Sequence, residues 1–296
     1  MGEHINRREA FDYLIEQTIA QGRFRGRRWS WVASTEGWFL KIPRMTDHLT
    51  LDIDNARVKE LARTEYNNLL LLNEYCSAVL RPVEFNSRFS CVVSPYIKGV
   101  DLWRMLRGRN DQSATDHLER AISIIAEIHA RSEVDGDKDL PDKSYSRNLY
   151  LQLNCEPINA RRTIVVFGLE VRNFLVRELD RALFFIDPHE MEYGYPEEDV
   201  TRFILSLLML NWGKNISCWV WNGFSMGRLL RAYEEKAGKP LQKDLFRYCF
   251  WMNVEMRKCH SKAIVEKLPV SQRFFATAYR ELFFLSVKRW AKTYGI

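Results

Sequence analysis

Four residues of this 296-residue chain are hard to place by packing alone: Lys41, Glu65, Asn173 and Asp187. Lys41 interrupts an apolar run, Trp38-Phe39-Leu40-Lys41-Ile42, and its plainest reading is a lysine on the solvent face of an edge strand. Glu65 is more informative. Steps of three and four along a helix at 56–75 give Val58, Leu61, Glu65, Leu69 and Leu72 on one side, so the carboxylate falls on the apolar stripe. Tyr66 and Leu70 widen that stripe, which leaves Glu65 either within it or at its margin. A buried carboxylate must be hydrogen-bonded or paired with a cation, and a lysine on the preceding strand is a suitable partner.

Asn173 and Asp187 form the second pair. Phe174-Leu175-Val176 and Ala182 to Ile186 read as strands joined by the turn Arg177-Glu178-Leu179-Asp180-Arg181. In an antiparallel hairpin the residue before the first strand lies near the residue after the second. Two hard oxygen donors so placed suit Mg²⁺, which takes few protein ligands and completes its shell with water and phosphate. The alternative is a pair of ordinary residues at strand ends, where Asn and Asp are common.

The elements that must position these groups follow from periodicity. A helix over 5–20 precedes strand-like runs between 23 and 43, with Thr35-Glu36-Gly37 as a hairpin turn. A helix over 56–75 follows, then strands at 79–85 and 89–94. Beyond Pro95-Tyr96 helical patterns dominate (102–107, 114–131, 197–212, 224–237, 242–259, 271–293), broken by a β-rich island at 163–187. The division is therefore into a β-rich region, 1–96, and a helical region, 97–296. The irregular stretch 132–162 reads as an insertion.

Composition excludes several classes. Apolar residues at 46% and charged residues at 28% are those of an ordinary globular chain. The most apolar stretch, Phe203 to Leu210, is about half a membrane span, and the N-terminus lacks the apolar core of a secretory signal; a cytoplasmic protein is expected. Forty-four Lys and Arg against 38 Asp and Glu leave a charge of +6, compatible with phosphorylated ligands, anionic lipid or nucleic acid. No RNA-binding motif accompanies the aromatic residues, so no nucleic-acid partner is expected. The six cysteines have no metal-binding spacing. Val287-Lys288-Arg289-Trp290-Ala291-Lys292-Thr293-Tyr294 mixes aromatic and basic residues, as would a membrane-surface helix or a last helix with a solvated edge.

The order of Lys41 on a strand, Glu65 on the next helix, and Asn173 and Asp187 around a hairpin resembles the protein-kinase-like superfamily. The chain looks most like its bacterial small-molecule branch, the aminoglycoside phosphotransferases and lipopolysaccharide core kinases, over roughly residues 20–240. Val92-Val93-Ser94-Pro95-Tyr96-Ile97-Lys98-Gly99 resembles the linker between lobes. Asn173-Phe174-Leu175-Val176 and Phe185-Ile186-Asp187 resemble the metal-binding motifs, and Asp199 the aspartate that braces the catalytic loop.

The resemblance implies an α+β, bilobal protein-kinase-like fold with a β-rich N-lobe and a mainly helical C-lobe. It implies that Lys41, held by Glu65, contacts the phosphates of ATP, and that Asn173 and Asp187 hold Mg²⁺. The Pro95 carbonyl and Ile97 amide would bind the adenine edge. It further implies phosphoryl transfer to a sugar hydroxyl, with a lipopolysaccharide core saccharide as acceptor and peripheral contact with the cytoplasmic face of the inner membrane. Two departures stand out. The position five residues before Asn173, where the family carries its catalytic aspartate, is Gly168; Glu170 is the nearest carboxylate. The loop Gly22-Arg23-Phe24-Arg25-Gly26-Arg27-Arg28 is poor in glycine for a phosphate cover. The alternative reading is a degenerate kinase that binds nucleotide or a partner in a regulatory role.

Overall fold

A computed structural model describes residues 7–27, 30–35, 37–45, 50–106, 112–134, 161–188, 190–212 and 225–296. Arg28, Glu36 and most of the 132–162 insertion lie outside these residues. The described ends of the insertion close on one another, with Val134 and Arg162 forming an isolated antiparallel bridge.

The chain divides into two compact units, one of residues 1–99 with 176–190, the other of 100–175 with 191–296. The first is built on strands β1 (Arg25–Gly26), β2 (Ser30–Thr35), β3 (Trp38–Pro43), β4 (Glu84–Asn86) and β5 (Cys91–Pro95), with helices α1 (Arg7–Ala20) and α2 (Ala56–Tyr75). The five strands make one antiparallel sheet in the order β1-β2-β3-β5-β4. β3 is therefore central, and the edge-strand reading of Lys41 is overturned. Of the run expected at 79–85, only its end is strand; Val79 makes a single bridge to Phe185.

Alternate residues of β3 and β5 explain the core: Leu40, Ile42, Cys91 and Val93 pack with Phe11 and Ile15 of α1 and Val58 of α2. Phe11 meets Trp38 edge to face, with ring centroids 5.1 Å apart. Asn55 starts α2 by accepting hydrogen bonds from the amides of Arg57 and Val58, a cap worth about 1 kcal/mol.

Strands β6 (Gly99–Asp101), β8 (Phe174–Arg177) and β9 (Leu183–Phe185) lie side by side in that order, and the chain passes from the second unit to the first within β8. Residues 176–190 are tied into the first unit by its own backbone. The Phe185 amide donates to Ala78, the Leu80 amide donates to Phe185, and the Glu178 amide donates to Lys98. Gly99 follows from this close approach: a Cβ there would lie 2.4 Å from the Val176 carbonyl oxygen.

The second unit contains α3 (Leu102–Leu106), α4 (Gln112–Arg131), β7 (Thr163–Val166), β10 (Met191–Gly194), and four helices: α5 (Pro196–Trp212), α6 (Met226–Ala237), α7 (Lys243–Glu266) and α8 (Val270–Thr293). β10 pairs antiparallel with β7 in the register Met191–Val166 to Gly194–Thr163. Its sequence, Met-Glu-Tyr-Gly, carries no run of β-branched residues, and periodicity did not mark it. α5 is buried along Val200, Phe203, Ile204, Leu205 and Leu207, and Phe174 packs edge to face on Phe203.

Candidate functional site

In the first unit β3 presents Lys41 towards α2, where the Lys41 Nζ lies 2.8 Å from Glu65 Oε1. The same ammonium pairs with Asp187, which follows β9. The stripe position of Glu65 is thus satisfied by a lysine from the strand before it. Both side chains are about 14% exposed or less, whereas Asp187 is 35% exposed and presents the accessible side of the cluster. Asp187 adopts φ +64°, left-handed for a residue other than glycine, a conformation that aspartate tolerates better than most.

Burial works to push the Lys41 ammonium down, but Glu65 and then Asp187 outweigh it and hold the group above its ordinary value. Lys41 is therefore a fixed positive charge at neutral pH. Burial pushes Glu65 up, with Lys41 opposing, while neighbouring Cys91 is raised by burial into an inert thiol.

Pro95 and Ile97 also belong to this unit. They line a cleft of about 640 Å³ together with Leu80, Arg81 and Phe184; Lys41, Glu65 and Asp187 are not in its lining. Arg23, Arg25 and Arg27 of the arginine-rich loop are exposed.

The second unit holds Asn173 at the end of a short 3₁₀ turn, Val171–Asn173. Its Nδ2 donates to the Gly168 carbonyl at 2.7 Å, so the amide is oriented and its Oδ1 is directed away as an acceptor. Oriented in this way, Asn173 has the hard oxygen that a magnesium ligand needs, as Asp187 has in its carboxylate. Gly168 adopts φ +121°, a conformation that L side chains rarely take. The turn is pinned by the Val171 amide on Ser206 Oγ, 3.1 Å.

Glu170 is bound on both oxygens, by Arg172 on one and Arg257 of α7 on the other. Burial works to raise its carboxyl, but Arg257 and then Arg172 outweigh this and hold it below the usual carboxylate range. A carboxylate so held has a low affinity for protons.

Asp199 is fully buried in the first turn of α5 and accepts from the Val166 amide at 2.8 Å, from Arg202 at 2.6 Å and from His129 Nε2 at 3.2 Å. The other imidazole nitrogen meets the Tyr233 hydroxyl at 2.8 Å. The hydrogen-bond geometry suits a tautomer in which Nε2 donates to Asp199 and Nδ1 accepts from the Tyr233 hydroxyl. His129 is thus a core residue, and Asp199 braces the strand end that leads to Gly168. Arg202 could have been found three residues after Asp199 on the helix. Arg257 and Tyr233 are distant in sequence and carry no local signal.

No protein-family model and no curated protein sequence matches the chain. Solved structures do. A Ralstonia eutropha protein described as an aminoglycoside phosphotransferase matches with a TM-score of 0.56 at 14% identity, covering 90% of this chain and 91% of its own. The choline kinase LicA from Streptococcus pneumoniae matches with 0.51 at 12% identity, covering 95% and 99%. A spectinomycin phosphotransferase, solved with ADP and spectinomycin, matches with 0.52 at 12% identity, covering 93% and 98%. The chain has the α+β kinase-like fold of these small-molecule kinases: a β-sheet N-terminal region and a mainly helical C-terminal part.

Proposed function

We propose that the chain transfers phosphate from ATP to a hydroxyl group. The observation that carries this reading is the buried Lys41 held between Glu65 and Asp187 on a kinase-like fold. Such a cluster is costly to bury, which makes it a candidate functional site, and the phosphates of a nucleotide are a partner for a lysine kept protonated.

In this reading Lys41 binds the ATP phosphates, Glu65 orients Lys41, and the Pro95 carbonyl and Ile97 amide hold the adenine edge. Asn173 and Asp187 would hold Mg²⁺, which neutralises charge developing on the phosphates. Glu170 belongs to the acceptor side as the carboxylate of the turn; bound by two guanidinium groups, it orients rather than takes a proton. The acceptor we propose is a sugar hydroxyl of a lipopolysaccharide core saccharide, met at the cytoplasmic face of the inner membrane. The named neighbours act on spectinomycin and choline, alcohols as that acceptor is.

A second reading is favoured by one observation. Gly168 offers no side chain where a general base would sit, and Glu170 is tied up. A regulatory protein that binds nucleotide without transferring phosphate has this constellation. Losing a base costs about 10²–10⁴ in rate, whereas positioning and electrostatics supply most of phosphoryl transfer.

The test is a melting curve with and without Mg²⁺-ATP, followed by a transfer assay with sugar acceptors. Stabilisation by Mg²⁺-ATP that Asp187→Asn makes independent of metal supports the site. No stabilisation refutes both readings, and stabilisation without transfer selects the regulatory one.

A further inference from the structure

Helix α8 is apolar on two sides. One side packs inward: Phe283, Phe284, Val287 and Ala291 are buried, and Trp290 stacks on Phe250 of α7 with centroids 5.8 Å apart. At about 100° per residue, these positions fill the arc opposite Phe274, Phe275, Leu282 and Leu285. Those four are 75%, 74%, 48% and 55% exposed. Of the eleven exposed large hydrophobic residues among the described residues, seven lie at or beyond Val270, and these four share one face of the helix.

Charge is concentrated in the same place. Residues 255–296 hold nine Lys and Arg against three Glu, while the rest of the chain carries 35 of each sign, so the whole net charge of +6 resides in this last segment. Some of these cations have partners: Arg257 is committed to Glu170, Lys258 to Glu255 and Arg280 to Glu281. Lys288, Arg289 and Lys292 have no carboxylate partner among the described residues and are exposed. On the helical projection all three fall on the outward side, at the C-terminal end of the apolar arc. A face of Phe and Leu continued by Lys and Arg matches the acyl boundary and the phosphate layer of an anionic bilayer.

We infer that the outward face of α8 docks on an anionic phospholipid surface, with Phe274, Phe275, Leu282 and Leu285 entering the interface and Lys288, Arg289 and Lys292 meeting lipid phosphates. The helix lies in the plane of the membrane; no helix among the described residues is long and apolar enough to cross it. Docking deepens the proposal of a membrane-face acceptor, but it rests on α8 alone and is measured without nucleotide or acceptor, so either can fail without the other.

The experiment is flotation of the full chain with vesicles of phosphatidylglycerol mixed with phosphatidylcholine, and with vesicles of phosphatidylcholine alone. Binding is expected to the mixed vesicles only, falling as salt is raised. The Phe275→Ser/Leu282→Ser variant should lose at least about tenfold in partitioning. Lys288→Glu and Lys292→Glu should each lose about fivefold or more, and these charge variants keep the test decisive if the apolar variant fails to fold. No binding to mixed vesicles, or equal binding by all variants, overturns the inference. So does a concentration-dependent dimer in sedimentation that Phe275→Ser/Leu282→Ser abolishes, since the face would then be covered by a second copy.

Discussion

Arg257 on α7 grips the carboxylate of Glu170, 87 positions earlier in the chain. The pairing fixes the turn on which Asn173 sits, because the Asn173 amide donates to the Glu170 carbonyl at 2.9 Å. Arg257→Ala leaves a largely buried carboxylate with one partner instead of two, and is expected to cost about 1–3 kcal/mol in urea unfolding.

Glu170 also sets a pH dependence. Its carboxyl is held below the usual range in the folded protein, so its contribution to stability is complete above the unfolded value of about 4.3 and is lost as pH falls through the lower folded value. Urea midpoints measured between neutral pH and strong acid should therefore fall less steeply in Glu170→Gln than in the parent. Turnover of that variant should change by less than about tenfold; a loss of 10²–10⁴ would make Glu170 the general base.

Removing the Lys41 ammonium leaves Glu65 and Asp187 facing each other. Lys41→Met should cost about 2–4 kcal/mol and abolish the rise in melting temperature with Mg²⁺-ATP. Lys41 is raised in the folded state, so its contribution is complete below the unfolded value of about 10.4 and is lost only as pH climbs through the folded value. The stability gap between the two proteins should be the same at neutral and mildly alkaline pH.

Asp199→Asn keeps the size of the side chain but replaces one acceptor oxygen with a donor among three donors. With the residue fully buried, a loss of about 3–5 kcal/mol is expected. Faster hydrogen exchange at the Val166 amide, which now donates to Asp199, locates the effect.

Gly99→Ala tests the close approach of two backbones. The added Cβ meets a carbonyl oxygen 2.4 Å away, and backbone cannot rotate aside. A cost of about 2 kcal/mol or more by chemical denaturation is expected.

Much of this was legible because periodic burial leaves a trace in sequence. Glu65 on the apolar side of α2 announced a cation, and Lys41 answers it. The hairpin around Arg177–Arg181 was visible from its apolar flanks. What stayed hidden is what depends on distant contacts. The centrality of β3 arises from pairing with β5, some fifty residues on. β10 exists because β7 offers an edge rather than because of its own residues. The grip on Glu170 comes from a helix whose arginine looks like any other surface cation. The two faces of α8 were hidden for a different reason: a helix apolar on both sides has little periodic contrast.

The first compact unit is not one continuous length of polypeptide: it takes in 176–190 after an excursion through the second. During synthesis it cannot close when residue 99 emerges, but must wait for about 90 further residues, roughly 5–20 s at ordinary elongation rates. Asp187, the last partner of Lys41, arrives at the end of that interval, so until then the nascent chain holds a buried-to-be ammonium with only Glu65 to neutralise it.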